Sequence, residues 1–473
     1  MPHVQATVPD PKASEAAGKA ARKQFPRSQQ AHVEFPETRR NPIEILKEQS
    51  ASRVQELVPI RYGRMSVSPF TFYRGAAAIM AADLGTAPHS GLMTQLCGDA
   101  HLANSGVFSS PERRPVFDVN DFDESHPGPF EWDVKRLVAS FAVAGRHRNF
   151  TPEQRRAINL AAAASYRNSM TLFAAMTNLE VWYSHFEMNQ ALDLFAASAG
   201  GKKSKERGVA RVRKMSDKAR SRTSLQAFTK MTVNTAGSPE FLSQAPLLVP
   251  IRDLMTPDQS DAVWEMLHKG LGAYKRSISD DRKHLLEQFH VVDVAHKIVG
   301  VGSVGLRAWV LLLLGRDATD PLVLQVKQSQ RSVLEPYVGR SKYRNHGQRV
   351  VNGQRLQQAF TDIFLGWTRV VGLDGNTRDF YVRQLRDGKG SADLDRMPAA
   401  TMEVYARLCG STLARAHARS GDRVAIASYL GASDTFERSM AAFAETYADQ
   451  NEQDYALLEA AIGSGELEVR TGV

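Results

Sequence analysis

Cysteine is scarce in this 473-residue chain, and long apolar runs are missing from it. Cys97 and Cys409 are its two cysteines, which excludes a disulfide framework. The longest strongly apolar run covers residues 308–314, far short of the roughly 20 residues that cross a bilayer. The N-terminus is polar, without the apolar segment of a signal peptide. These absences predict a cytoplasmic protein with no membrane span.

Acidic residues are outnumbered, with 51 Asp and Glu against 60 Lys and Arg, a formal net charge of +9. Such an excess favours anionic partners, among them nucleotides, phosphorylated metabolites, nucleic acid and membrane surfaces. Ten of the basic residues lie between Lys202 and Arg222. No aromatic residue interrupts that run, so base stacking is not indicated. We interpret the run as a solvated helix or loop, with nucleic-acid binding as the weaker alternative.

Composition divides the chain into four parts. Residues 1–45 carry six prolines among charged and small residues, and are predicted to form a mostly disordered basic arm. Residues 46–290 are mainly helical, with a clear capping-box start at Thr151. Residues 291–392 are predicted to form a small nucleotide-binding lobe, and residues 393–473 to form helices that pack on the helical lobe.

The predicted small lobe is an antiparallel sheet that carries one helix. Its short runs are rich in β-branched and aromatic residues and are separated by Gly and Asp turns. The predicted strands cover residues 291–299, 306–314, 322–326, 363–371 and 380–385, and the helix covers about residues 348–360.

Two acidic loops within the helical region, the first at residues 97–104 and the second at residues 116–123, carry the groups that phosphoryl transfer needs. Asp99 and Asn104 lie five residues apart in the first loop, so one loop presents both groups to a single cavity. Phosphoryl transfer needs a carboxylate that accepts the proton of the attacking hydroxyl, and an amide and a second carboxylate that hold Mg²⁺. We predict Asp99 as the base and Asn104 and Asp121 as metal ligands, with Asp123 as a helper and Asp118 as the other candidate.

Asx-rich turns after buried strands are the structural alternative for each acidic loop. The presence of two such loops favours the functional interpretation.

A glycine-rich segment, residues 300–305 (GVGSVG), lies between two strand-like runs. No helix follows it, which argues against a Rossmann crossover. A glycine hairpin instead lets the backbone close over phosphates. Lys327 follows in an apolar strand, where its ammonium would reach the α- and β-phosphates. We therefore predict nucleotide-binding roles for Gly300, Gly302, Ser303, Gly305 and Lys327.

Several segments resemble known families. Residues 98–104 (GDAHLAN) resemble the catalytic loop of the aminoglycoside phosphotransferase and choline kinase group. Residues 120–123 (NDFD) resemble the metal-binding segment of that group, and residues 131–137 (EWDVKRL) the start of its next helix. In segments such as 72–75 (FYRG) and 381–387 (YVRQLRD), the chain resembles a bacterial family catalogued as domain of unknown function 2252. That family name supplies no substrate.

The resemblance implies an α+β, protein kinase-like fold with a large helical lobe and a small antiparallel-sheet lobe. Ordinary kinases place the glycine loop and the lysine before the catalytic loop, whereas here they come about two hundred residues after it. We therefore expect a circular permutation, which fold geometry survives when the old termini were close. The predicted helix at 348–360 has no carboxylate for Lys327, so Glu335 is the candidate partner.

The expected function is ATP- and Mg²⁺-dependent transfer of phosphate to a hydroxyl of an unidentified small molecule or protein. Three alternatives stay open: nucleotidyl (AMP) transfer by the same parts, a metal-dependent phosphoesterase, and a catalytically silent nucleotide-binding pseudokinase. The phosphoesterase would rest on Asp99, His101 and Asp121. It would need further His or Asn ligands, and it leaves residues 300–305 and Lys327 unexplained.

Other residues are expected to support the site. Asp133 is predicted to brace the catalytic loop by hydrogen bonds. Arg74 either clamps phosphate or forms a structural ion pair. Arg415, His417 and Arg419 are predicted to decorate a helix face.

Overall fold

A computed structural model describes residues 10–187, 224–235, 238–298, 300–385, 388 and 390–472. The basic run at 202–222 lies outside these described residues. The described part of the chain is an α+β structure whose strands pair in antiparallel ladders.

The helices, in chain order, are α1 (Pro11–Gln24), α2 (Pro42–Ser50), α3 (Val58–Met65), α4 (Pro69–Gly75), α5 (Ala77–Gly85), α6 (Phe130–His147), α7 (Pro152–Ala175), α8 (Asn178–Tyr183), α9 (Ser224–Met231), α10 (Ile251–Leu254), α11 (Pro257–Lys275), α12 (Asp280–Leu286), α13 (Glu335–Val338), α14 (His346–Gln357), α15 (Ala399–Ala418), α16 (Arg423–Leu430) and α17 (Thr435–Gly463). Short 3₁₀ helices cover Arg27–Ala31, Gln55–Leu57, Leu102–Asn104 and Leu394–Arg396.

The strands are β1 (Met93–Leu96), β2 (Ser105–Ser109), β3 (Pro115–Val119), β4 (His126–Pro129), β5 (Phe186–Glu187), β6 (Thr232–Thr235), β7 (Ser238–Phe241), β8 (Leu248–Pro250), β9 (His290–Lys297), β10 (Ala308–Leu314), β11 (Pro321–Ser329), β12 (Gly366–Val371) and β13 (Thr377–Gln384).

The N-terminal segment is helical where the sequence predicted a disordered arm. Asp10 caps α1 by accepting a hydrogen bond from the Lys12 amide, and Pro11 occupies the first turn. Gly18 and Ala21 of α1 are buried. A Cβ on Gly18 would lie 2.1 Å from the Ala425 carbonyl oxygen, so α1 packs closely on α16. The small residues of α1 form a packing surface, and the prediction of disorder is wrong for residues 11–24.

One core joins helices from both ends of the chain around the acidic loops. It contains residues of α6, α7, α15 and α17 together with β1 to β3. The hydrophobic side of α6 faces this core, and nearly all of α6 is buried. The loops that follow β1 and β3 therefore project from a rigid base.

A six-stranded sheet, in the order β12-β13-β11-β10-β9-β8, forms the second part. The five predicted strands and the helix α14, between β11 and β12, are present. One face of the sheet packs against α11 and α12, and the other against Met231 and Phe241. Residues 248–286 thus pack on the sheet rather than on the helical lobe to which the sequence assigned them. The three-residue β8 is too short to give a strand pattern of its own.

In the described part of the chain, no helix has both the length and the apolar character needed to span a membrane.

Lys135 is a buried cation in the helical core, and we expect its removal to stabilise the protein. The side chain of Lys135 is 2% exposed, and its Nζ lies 4.9 Å from the centre of the Phe443 ring. Burial lowers the pKa of Lys135 from its usual 10.5 to about 8, against the attraction of Glu131. Between about pH 8 and pH 10.5, unfolding therefore takes up a proton. The loss of stability caused by burying the charged ammonium is full below about pH 8 and disappears as the pH rises towards 10.5.

We expect Lys135→Met to raise the free energy of unfolding at pH 7 by on the order of 2 kcal/mol, and therefore to raise the melting temperature. Near pH 10.5 the variant and the wild type should be equally stable. Thermal melts at both pH values test it, with exposed Lys269→Met as the control. The same gain at both pH values would contradict the electrostatic explanation.

Candidate active site

The first acidic loop begins where β1 ends, and its backbone is fixed by α6. The Asp133 carboxylate accepts hydrogen bonds from the Cys97 amide (2.8 Å) and the Gly98 amide (3.0 Å). Gly98 has φ +81°, and a Cβ there would lie 2.4 Å from the Glu124 carbonyl oxygen. Only glycine fits that backbone position. Asp133 therefore braces the loop, as the sequence predicted.

Asp99 is anchored by a cation from the same helix. Arg136 Nε donates to Asp99 Oδ1 at 2.9 Å, and the Arg136 guanidinium lies over the Tyr73 ring at 3.9 Å. Burial raises the pKa of Asp99, and Arg136 and Arg74 offset part of that rise. His101 Nε2 lies 3.7 Å from Asp99 Oδ2. Burial, together with Arg136 and Arg74, lowers the pKa of His101 well below its usual value, which favours a neutral ring.

Hydrogen bonds tie the two acidic loops together. The Asn104 side-chain amide donates to the Asp99 carbonyl at 2.9 Å. The Asn104 carbonyl in turn accepts from the Asn120 amide at 2.8 Å. Asn104 immediately precedes β2, which pairs with β3, and β3 leads into the second loop. The hairpin thus brings Asp121 to a cavity that Asp99 also lines.

Asp123 forms an ion pair with Lys327, which lies 204 residues later in the chain. The Lys327 side chain is 4% exposed. Burial alone would lower the pKa of Lys327, but the charge of Asp123 raises it well above its usual value. Burial alone would raise the pKa of Asp123, but Lys327 holds it below its usual value. Burial and the neighbouring Asp123 raise the pKa of Asp121.

The glycine-rich segment is a turn between the antiparallel strands β9 and β10. The Ser303 hydroxyl lies 3.4 Å from Asp123 Oδ2, so the turn reaches the second acidic loop. Arg53 donates to the Val304 carbonyl at 2.5 Å, and Arg64 donates to the Gly300 carbonyl. Cations from the N-terminal helical segment therefore hold the turn in place.

Helix α14 fixes the second acidic loop with a cation rather than a carboxylate. Arg349 donates to the backbone carbonyls of Asp123 (2.7 Å) and Ser125 (2.6 Å). Glu335 accepts from Arg331 at 3.1 Å and makes no ion pair with Lys327. The predicted pairing of Glu335 with Lys327 is wrong, because Asp123 already neutralises the buried ammonium.

These groups meet at one cavity of about 580 Å³ between the sheet and the helical part. The predicted site residues that line it are Asp99, Asn104, Asp121, Asp123, Gly300, Gly302 and Ser303. Lys327 lies behind Asp123, and Gly305 packs on the Arg53 side chain. Glu335 lies outside the lining.

Asp118 does not belong to the cavity. It is 2% exposed and accepts two hydrogen bonds of 2.6 Å from Arg415, which is 1% exposed. His417 is fully buried and lies 3.3 Å from Asp133. Arg415 and His417 therefore support the loops from below, and their predicted place on an exposed helix face is wrong.

Sequence patterns did not predict the cations that surround the acidic groups. Arg136 anchors Asp99, and Arg53 and Arg61 line the cavity. The spacing of Asp133 and Arg136, one helical turn apart, could have placed both on the loop-facing side of α6. No local pattern marks Arg53 or Arg61.

The acidic loops suit a magnesium ion held jointly with a phosphate ligand. Asp123 Oδ1 is buried without a hydrogen-bond partner, beside the Asp121 carboxylate. Within the described ranges, no three His, Cys, Asp or Glu side chains are grouped to hold a metal by themselves. Magnesium is commonly held by one or two carboxylates, with substrate phosphates and water completing its coordination shell. The Asp121 and Asp123 carboxylates match that type of site.

The fold and cavity define an α+β protein in which acidic loops and a glycine turn line one cavity, with a buried lysine behind one of the acidic residues. The chain belongs to a family of uncharacterized proteins conserved in bacteria (DUF2252), whose model matches residues 53–461. That match includes both acidic loops, the glycine turn and the sheet. Neither the curated proteins nor the solved structures include a match to the chain.

Proposed function

We propose that this protein is an ATP- and Mg²⁺-dependent phosphotransferase with a circularly permuted, kinase-like fold. The observation that carries the proposal is the ion pair between Asp123 and Lys327, with the glycine turn against the same carboxylate. Two motifs far apart in the sequence, each suited to half of a phosphoryl-transfer site, meet in one cavity.

The arrangement of the sheet supports the kinase-like part of the proposal. In protein kinases a glycine-rich loop covers the phosphates, a lysine lies on the third strand, and a helix follows. Here the glycine turn joins β9 to β10, Lys327 lies on the next strand, β11, and α14 comes before β12. Asp99 and Asn104 also have the Asp-x-x-x-x-Asn spacing of a kinase catalytic loop. In the proposed permutation, the half with Asp99 and Asn104 comes first in the chain and the half with the glycine turn and Lys327 comes second, the reverse of the order in ordinary kinases.

Each residue has a role in the proposed reaction. The acceptor hydroxyl gives its proton to Asp99 as its oxygen bonds to the γ-phosphorus, and the bond from that phosphorus to the β-phosphate oxygen breaks to leave ADP. Asn104, Asp121 and Asp123 would hold magnesium, which neutralises charge on the β- and γ-phosphates when bound. Lys327 and the backbone of residues 300–305 hold the phosphates.

Nucleotide affinity of a glycine-turn variant tests this proposal. Gly302 lines the cavity, and a Cβ there meets the Arg74 carbonyl oxygen at 3.5 Å, an ordinary contact. Gly302→Val should therefore fold but obstruct the close approach of phosphates. We expect its Kd for Mg²⁺·ATP to rise at least tenfold, about 1.4 kcal/mol, in calorimetric titrations.

Gly272→Val is the matched control, because Gly272 in α11 is exposed with nothing within 4 Å of its added Cβ. It should leave nucleotide affinity unchanged. Equal affinity in Gly302→Val and the wild type would remove the glycine turn from the nucleotide site.

A further inference from the structure

Three arginines from the N-terminal helical segment line the same cavity as the acidic loops. Arg53 follows α2, Arg61 lies in α3 and Arg74 lies in α4. Arg61 is fully buried, and Arg53 is 9% exposed. The proposed reaction assigns none of these guanidinium groups a role.

These three cations have no carboxylate at ion-pair distance among the described residues. Arg61 donates to neutral groups, including the Ser50 hydroxyl (3.0 Å) and the Gln49 amide oxygen (2.9 Å). Arg53 donates to backbone carbonyls of Gln49 and Val304. The Nε atoms of Arg61 and Arg74 are buried without any hydrogen-bond partner.

Two other arginines of the cavity lining show the contrast. Arg331 pairs with Glu335 at 3.1 Å, and Arg378 pairs with Asp374. A buried charge without a partner is costly, so the buried Arg53 and Arg61, with the half-buried Arg74 in the same cavity lining, call for an external counter-ion. Burial accordingly lowers the pKa of all three, for Arg53 to about 10.

Arg74 lies between the glycine turn and the proposed base. Its carbonyl oxygen is the atom that a Cβ on Gly302 would meet at 3.5 Å. Its charge acts on both Asp99 and His101. Asp99 and Asp395 attract it from beyond ion-pair distance. An anion bound by Arg74 would therefore lie close to the carboxylate that faces the acceptor hydroxyl.

We infer that Arg53, Arg61 and Arg74 form an oxyanion subsite, and that the acceptor is a small hydroxyl compound carrying a phosphate or carboxylate group. The inference rests on the proposed function, because it takes Asp99 as the base. Guanidinium forks match both oxyanions. The nucleotide phosphates already have Lys327 and the glycine turn, so the additional cations serve the second substrate.

Binding of inorganic phosphate and of acetate to the full chain tests the subsite. Calorimetry is run with and without a saturating non-hydrolysable ATP analogue and Mg²⁺. We expect phosphate or acetate to bind the wild type in both conditions, and the tighter probe identifies the acceptor group. Arg74→Gln should weaken that binding at least tenfold, with the analogue's affinity unchanged. Arg74→Lys should keep part of the anion affinity, because it keeps the charge.

Arg378→Gln is the matched control, since that cavity arginine already has a carboxylate partner. It should change probe affinity less than twofold. Absence of probe binding to the wild type, or equal binding in a folded Arg74→Gln, overturns the subsite. Competition between phosphate and the analogue, with both weakened in Arg74→Gln, overturns it too, because Arg74 then serves the nucleotide. Arg74-dependent phosphate binding without any nucleotide binding supports the anion site and refutes the phosphotransferase.

Discussion

Asp99→Asn is expected to lower label transfer from ATP at least a hundredfold while leaving Mg²⁺·ATP affinity within about threefold. A general base contributes roughly 10²- to 10⁴-fold to such a step. The asparagine oxygen can still accept the hydrogen bond from Arg136, so the loop geometry should persist. The substitution removes the carboxylate that takes the proton of the acceptor hydroxyl.

Purified protein, a metabolite extract and ATP labelled at either the γ- or the α-phosphate provide the measurement. Transfer of the γ label supports phosphoryl transfer, and transfer of the α label would indicate nucleotidyl transfer instead. Asp379→Asn is the control, because Asp379 lines the same cavity but pairs with Arg369. Wild-type rates in a folded Asp99→Asn would show that Asp99 is not the base.

Lys327→Met is expected to reduce turnover at least a hundredfold, about 2.7 kcal/mol in activation free energy, and to weaken nucleotide binding. Lys327 is the buried cation on β11, the strand that follows β10 in the sheet, and methionine keeps much of its volume without its charge. The variant should also melt at a lower temperature, because Asp123 loses its ion-pair partner.

A double variant separates the two effects. Lys327→Met with Asp123→Asn removes both charges, so it should recover much of the lost stability and none of the turnover. Lys269→Met, at an exposed position in α11, should match the wild type. If the single variant melts early yet turns over normally, Lys327 is only a structural partner of Asp123.

Local patterns predicted the sheet well. Alternating β-branched and aromatic runs separated by turns gave the five strands, and α14 occupies 346–357 where residues 348–360 were expected. The capping box at Thr151 does begin α7. Such signals succeed because backbone dihedrals and one-sided burial act over a few neighbouring residues.

Contacts between distant segments were beyond those patterns. Asp118 pairs with Arg415, 297 residues away, and nothing near either residue marks the partner. Arg349 holds the second acidic loop through its backbone carbonyls, a contact that no local pattern predicts. The helix at 11–24 did carry a signal, since Asp10 and Pro11 form a cap and first turn, but the surrounding prolines outweighed it.

The candidate site shows the same division. Residue type and short spacing predicted Asp99, Asn104, Asp121 and Asp123, and the structure brings them to one cavity. The position of Lys327 behind Asp123 depends on how sheet and helices dock. The unpaired arginines could not be predicted for the same reason, because the tertiary structure decides whether an arginine has a carboxylate nearby.

The separation of Asp123 and Lys327 along the chain also determines when their ion pair can form during synthesis. The acid leaves the ribosome 204 residues before its counter-charge, roughly 10 to 40 s at usual elongation rates. During that interval Asp123 lacks the cation with which it pairs in the folded protein. Assembly of this cavity is therefore a late event in the life of each nascent chain, completed only when the sheet arrives.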